Sequence, residues 1–245
     1  MRLTRIYVPG VGGPLAAERE AELPPAAGEH VTRVLRLRIG AAITLFDGGG
    51  GEWSAEIISI ARNRVRARCH AHSPIERESP LTITLLQSLA RGEKMDWIVQ
   101  KATELGVACI VPISTERGVV HIDEDREPKR LAHWQAVAAS ACEQCGRNRL
   151  PTISAPLALA AAMQMHLPQT RLTLTPEATA RLATSVRTSP SIALLVGPEG
   201  GLTEHELHLS EARRFLAVNF GPRILRTETA AIAALAALQL LAGDL

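Results

Sequence analysis

The sequence predicts an α/β protein: a parallel sheet flanked by helices, with a smaller β-rich region ahead of it. Three patterns carry this. Near the C-terminus, two short apolar runs, 192–196 and 216–220, each break into Gly-Pro, as buried parallel strands do where they end in loops. Residues 81–86 read as a strand, 93–105 as an amphipathic helix and 107–113 as another strand, which makes a βα unit of a parallel sheet. From Arg62 the chain alternates with a period of two, the mark of a half-exposed strand.

Residues 1 to 72 form the β-rich region. Ala42 to Phe46 is strand-like and runs into Asp47 and four glycines, a strong turn, before a second strand from Glu52 to Ile60 closes a hairpin. Arg62, Arg64, Arg66 and Arg68 then share one face, with Asn63, Val65, Ala67 and Cys69 on the other. Such a row can contact phosphates, or it can be a solvated edge strand that resists aggregation. Arg33, Arg36 and Arg38 cluster with no carboxylate between them.

His70 to Pro80 reads as a linker, so residues 73–245 make the second domain. Within helix 93–105, Met95, Ile98, Val99, Ala102 and Leu105 fall at helical spacing, and Gly106 stands at the C-cap position. Lys94, Lys101 and Glu104 lie off that stripe. A long Ala-rich helix runs from Arg126 to Cys145. Its Cys142 and Cys145 form a lone C-x-x-C without the second pair that a tetrahedral metal site needs, so no metal is expected. Arg171 to Leu174 is a further strand ending in Thr175-Pro176. After Gly197-Pro198-Glu199-Gly200-Gly201, Thr203 and Glu206 have the spacing of a capping box. Ala230 to Leu241 is an almost wholly apolar helix that has to be buried somewhere.

Composition narrows the class. The chain has 245 residues, 46% of them hydrophobic but only 3% aromatic, so its core rests on Ala, Leu, Ile and Val. A net charge of +2 is too small to argue for nucleic acid by itself. Four unevenly spaced cysteines suit a reducing compartment. No cleavable signal is visible after Met1, and the C-terminal helix falls short of the roughly 20 residues that cross a bilayer, so the reading is cytoplasmic, without membrane.

The loops say what kind of ligand to expect. There is no Gly-x-x-x-x-Gly-Lys-Ser/Thr and no Gly-x-Gly-x-x-Gly followed by an acidic residue. Glycines without a phosphate-binding lysine suit a ligand that needs close backbone approach and carries little negative charge.

Leu195 to Gly201 and Ile224 to Ala230 together closely resemble the signature loops of the SPOUT methyltransferases and, among them, the RsmE family, which makes 3-methyluridine in 16S ribosomal RNA. The likeness extends to 94–97, 100–107 and 143–147, with Cys145 where the family usually has Ser. It implies a C-terminal SPOUT-like trefoil-knotted parallel sheet and a small N-terminal PUA-like β-barrel. It implies S-adenosylmethionine as cofactor, held by Leu174, Thr175, Pro176, Val196, Gly197, Pro198, Gly200 and Gly201, with Phe220, Gly221, Ile224, Leu225, Thr227, Thr229 and Ala230. RNA contacts would come from Arg33, Arg36, Arg62, Arg64, Arg66 and Lys94, and 143–147 would face the cleft. The partners implied are 16S rRNA, within the 30S subunit and at decoding-region helix 44, and a second copy of the chain in a homodimer.

Methylating uridine N3 requires loss of its proton, so a cation beside O2 or O4 would stabilise the developing anion. Arg226 is the first candidate and Arg147 the second. Glu199 can accept the proton, or it can hold its loop through backbone hydrogen bonds. Because N3 lies on the pairing edge, the base has to be unpaired or flipped out. Other SPOUT activities, on the 2′-O-ribose or guanosine N1, are the nearest alternatives. A non-catalytic RNA-binding assembly factor is another, although Gly197, Gly200 and Gly201 are all present.

Overall fold

The computed structural model describes residues 4–10, 13–62, 64–120, 124–186 and 189–245. The chain divides into two compact units: Met1–Glu78 with Ala139–Leu150, and Ser79–Ala138 with Pro151–Leu245.

The first unit is built on β1 (Arg5–Tyr7), β2 (Glu20–Glu22), a short helix α1 (Pro25–Glu29) running on into a wider turn to Val34, β3 (Ala42–Phe46), β4 (Glu52–Ala61) and β5 (Arg64–Ser73). The five strands lie in the order β1-β3-β4-β5-β2, with β1 parallel to β3 and the other pairs antiparallel. Val65, Ala67 and Cys69 point into a core shared with Ile6, Ile43, Leu45 and Ile57, while Arg64 and Arg66 stay exposed, as the period of two requires. Arg62 departs from that pattern. It sits in the turn before β5 with φ at +52°, so the arginine face begins at Arg64. Asn63 lies outside the described residues. β5 runs on to Ser73, so the expected linker starts later than His70: pairing with β4 carries the strand through the polar stretch. Nor is β5 an edge, because β2 covers it.

Residues 139–150 belong to this unit through buried polar contacts. The Arg5 guanidinium donates to the Arg147 carbonyl (3.1 Å) and to Asn148 Oδ1 (2.7 Å), and Asn148 Nδ2 donates to the Ile75 carbonyl (2.6 Å).

The second unit contains β6 (Thr82–Ser88), α2 (Lys94–Glu104), β7 (Cys109–Ser114), most of α3 (Glu127–Cys145), β8 (Thr152–Ile153), β9 (Leu157–Ala158), α4 (Leu159–Ala162), β10 (Thr170–Leu174), α5 (Leu182–Ser185), β11 (Ser191–Val196), α6 (Glu204–Ala212), β12 (Leu216–Val218) and α7 (Thr227–Ala242). Its sheet is parallel throughout, in the order β12-β10-β11-β6-β7-β8, with β9 also on β7. Both faces are covered. Ile192, Leu194 and Val196 join one apolar cluster with α2, α3 and α7, while Ala193 and Leu195 join another with Leu159, Met163 and Phe215. A strand buried on both sides needs apolar residues at every position, which is why 192–196 shows no alternation.

α7 packs on α2 through Ala231, Ala234, Leu235 and Leu238. Its buried Gln239 is satisfied: Nε2 donates to the Leu105 carbonyl at the end of α2 (2.7 Å) and Oε1 accepts from Ser79 (2.7 Å). The burial expected of this helix is one-sided, since Leu240 and Leu241 are exposed.

Candidate active site

Strand register brings the loops together. Val218 pairs across from Leu174, Leu174 from Val196, and Val196 from Gln87, so β12, β10, β11 and β6 end level with one another. The loops leaving β10, β11 and β12 wall a cavity of about 730 Å³. That volume lies within the range of small-molecule sites, and the position, at the carboxyl ends of parallel strands, is where open α/β sheets bind ligands.

The β11 loop is held rigid by its neighbours. Thr227, buried at the start of α7, donates to the Gly197 carbonyl (2.7 Å) and accepts from Gln87 Nε2 (3.1 Å). The capping box forms as expected: Glu206 N donates to Thr203 Oγ1 (3.2 Å) and Thr203 N to Glu206 Oε2 (2.9 Å). The other Glu206 oxygen accepts from Glu116 N (2.8 Å), which ties the β7 loop to α6. Gly201 has φ +70°, the left-handed conformation that closes the turn before α6. At Gly197 an added Cβ would come within 3.0 Å of Leu202, and at Gly200 within 3.2 Å of Arg117 Cβ. These are glycines because neighbouring chain occupies the space of a side chain.

Of the expected cofactor-binding residues, Leu174, Thr175, Pro176, Val196, Gly197, Pro198, Gly200 and Gly201 line the cavity. So do Phe220, Gly221, Ile224, Leu225, Thr227 and Ala230. Thr229 does not; it is exposed on the first turn of α7. Arg226 and Glu199 line it as well. Lys94 Nζ stands 3.3 Å from both Glu199 and Glu228, and these carboxylates, Glu199 first, hold its ammonium above the usual lysine value. Lys94 is thus paired rather than free.

Arg147 lies in the first unit, buried, with its guanidinium on Glu78 (2.6 Å). Its neighbours also contact that unit: Glu143 accepts from Tyr7 N (2.9 Å), and the Gly146 carbonyl accepts from Arg77 (3.0 Å). Within the 143–147 stretch, Glu143, Gly146 and Arg147 make these contacts, and Gln144 is exposed. Cys142 and Cys145 are free thiols, and burial pushes that of Cys142 up to about 12. Among the described residues no group of three acids, histidines or cysteines could hold a metal. No helix among them is long and apolar enough to cross a membrane.

The N-terminal arginines are mostly neutralised by neighbours. Arg64 pairs with Glu22 (2.7 Å), while Arg66 (2.6 Å) and Arg68 (2.9 Å) share Glu20. Arg33 pairs with Glu29 one helical turn away. Arg36 and Arg62 are exposed and, among the described residues, unpaired.

The sequence reading missed the β7 loop. Arg117 lines the cavity and donates to the Gly200 carbonyl (3.2 Å). The signal was there in Thr115-Glu116-Arg117-Gly118, one more strand-to-loop transition ending in glycine. Arg223 and Glu204 at the rim were missed too.

This sheet with its edge pocket, behind a small N-terminal β unit, defines an RNA methyltransferase: residues 77–239 match the family described as RNA methyltransferase domain, and 23–68 that described as RNA methyltransferase PUA domain. The chain is 32% identical to ribosomal RNA small subunit methyltransferase E of Buchnera aphidicola (from Schizaphis graminum), covering 100% of this chain and 98% of that protein. To the Bacillus subtilis enzyme of the same name it is 30% identical, over 88% of this chain and 89% of the relative. The chain belongs to the ribosomal RNA small subunit methyltransferase E family, the RsmE family, within the SPOUT class. Among solved structures, a Legionella pneumophila methyltransferase in complex with S-adenosylmethionine superposes with a TM-score of 0.95 at 40% identity, covering all of both chains. The Neisseria gonorrhoeae ribosomal RNA small subunit methyltransferase E, bound to S-adenosylmethionine, gives 0.89 at 39%, over 99% of each.

Proposed function

We propose that this protein methylates N3 of one uridine in 16S rRNA, at decoding-region helix 44 of the 30S subunit, with S-adenosylmethionine as donor. Residues 1–72 would serve as the RNA-adhering domain and 73–245 as the methyltransferase, working as a homodimer. The observation that carries the reading is a pocket formed where strands end level, walled by Gly197, Gly200 and Gly201 and, among the described residues, by no lysine.

The residues present fit the cofactor. Backbone at Gly197, Gly200 and Gly201 can approach it closely, and Leu174, Val196, Ile224 and Leu225 supply apolar walls. When bound, S-adenosylmethionine supplies a methyl group already activated on a sulfonium. The protein's part is therefore positioning and electrostatics. Arg226, exposed at the N-cap of α7 and lining the cavity, would stabilise negative charge on uridine O2 or O4. Glu199, which lines the cavity with Lys94 at 3.3 Å, is the candidate proton acceptor. Both roles extend the position of these groups on one cavity wall.

The test is transfer of labelled methyl from S-adenosylmethionine to 30S subunits by the purified protein, followed by nucleoside mass spectrometry. Label at N3 of a single uridine is the expected result. Label on a ribose or a purine points to another SPOUT activity, and no label at all to a binding protein.

A further inference from the structure

Arg117, on the loop after β7, and Arg223, on the loop after β12, both line the cavity rim and are exposed, and among the described residues neither forms an ion pair. Lys94 of the same unit, by contrast, lies between two carboxylates, Glu199 and Glu228. Of the nearby carboxylates, Glu199 faces Lys94, Glu177 accepts from the Thr175 hydroxyl, Glu204 begins α6, and Glu116, next to Arg117, contacts His205 (2.8 Å). Arg117 is also fixed in place. It donates to the Gly200 carbonyl, and its loop is anchored by Glu116 N on Glu206 and by Thr115 on Ser88 (2.9 Å). A guanidinium has five N–H donors in a rigid fork, so one bond to a carbonyl leaves most of them open.

Sheet order sets how the two are spaced. Arg117 reaches across to the β11 loop, and in the sheet only β10 stands between β11 and β12, whose loop carries Arg223. Arg226 lies on the same rim, on the segment that follows Arg223.

We infer that Arg117 and Arg223 are phosphate-binding residues that hold the backbone of an unpaired RNA segment on the two sides of the base entering the pocket. The inference rests on the methyltransferase reading above and adds the place where the substrate strand is gripped. Holding the backbone beside the extruded base offsets part of the cost of unstacking it.

The test is a salt titration of binding between the full-length protein and a short fluorescein-labelled single-stranded RNA, read by anisotropy. Each phosphate contact on a single strand contributes roughly 0.7 to the slope of log affinity against log salt, so Arg117→Gln and Arg223→Gln should each lower the slope by about that much. The double variant should weaken binding on the order of tenfold at low salt. Arg117→Lys should recover the slope if the role is charge on a phosphate. If the role were support of Gly200, lysine would fail to restore it, and the inference would be overturned. A double variant with the wild-type slope also overturns it. A wild-type protein that transfers no methyl to any RNA removes the methyltransferase reading instead, a result the binding slope does not depend on.

Discussion

Two sets of arginines in this molecule have opposite fates. On β5, Arg64, Arg66 and Arg68 form a row on one face, and the neighbouring strand β2 answers them with Glu20 and Glu22. At the rim of the second unit's pocket, Arg117, Arg223 and Arg226 line the cavity and, among the described residues, form no ion pair, although Arg117 lies near the Glu116 carboxylate. The first set is cross-strand pairing on a solvated sheet, and exposed pairs of this kind contribute little to stability. The second set is the one we infer to meet the RNA. A row of like charges therefore says less about RNA binding than the identity of the strand beside it.

The most severe way to break this contrast is at Gly200, where Arg117 packs. A side chain there enters space that Arg117 Cβ occupies at 3.2 Å. Gly200→Val should weaken S-adenosylmethionine binding by roughly 100-fold or more, about 2.7 kcal/mol, with the circular dichroism spectrum unchanged. Calorimetric titration checks it, and wild-type affinity would show that the β11 loop is not the cofactor cradle.

Charge at the rim comes next. Arg226→Gln should lower kcat on the order of 10²–10³, the scale for loss of a group that stabilises developing oxyanion charge, with far less change in cofactor affinity. Arg66→Gln, removing one of the arginines paired with Glu20, should leave kcat as it was. Equal losses in both variants would erase the distinction between the two sets.

Acid gives the smallest effect. Hydrogen bonding to Arg68 holds the Glu20 carboxyl below its usual range, and Arg64 does the same for Glu22. A folded-state value below the unfolded one means these pairs stabilise the protein above the ordinary carboxylate pKa. That contribution is lost as pH falls through the lowered values. Thermal melts across this acidic range should show Glu20→Gln losing part of the pH dependence of the wild type. A melting profile unchanged by the substitution would mean that the ladder adds nothing measurable.

Much of the site was legible because it is built from local rules. The strand 192–196, its break into Gly197-Pro198 and the Thr203–Glu206 capping box are short-range chemistry, and each stands where the residues placed it. The loops of β10, β11 and β12 share one cavity with all but one of the residues expected there, Thr229 lying outside. The turn position of Arg62 was hidden, because a period of two continues on paper through a residue whose backbone turns at φ +52°. Arg147 was hidden for another reason: its partner Glu78 is 69 residues away, so no window of sequence pairs them.

By itself, then, the sequence determined the longer elements, the turn chemistry, the family and the small-residue loops, since all of these follow from residues close together along the chain, while short strands such as Arg5–Tyr7, Glu20–Glu22 and Thr152–Ile153 were not legible in it. Tertiary structure alone decided which arginines are spent on glutamates and which remain available. It also decided that the β7 loop joins the site and that 139–150 packs with the first unit. The reason is physical. Ion pairing and cavity walls depend on distances of a few ångströms between groups many residues apart, and only sheet order and register set those distances.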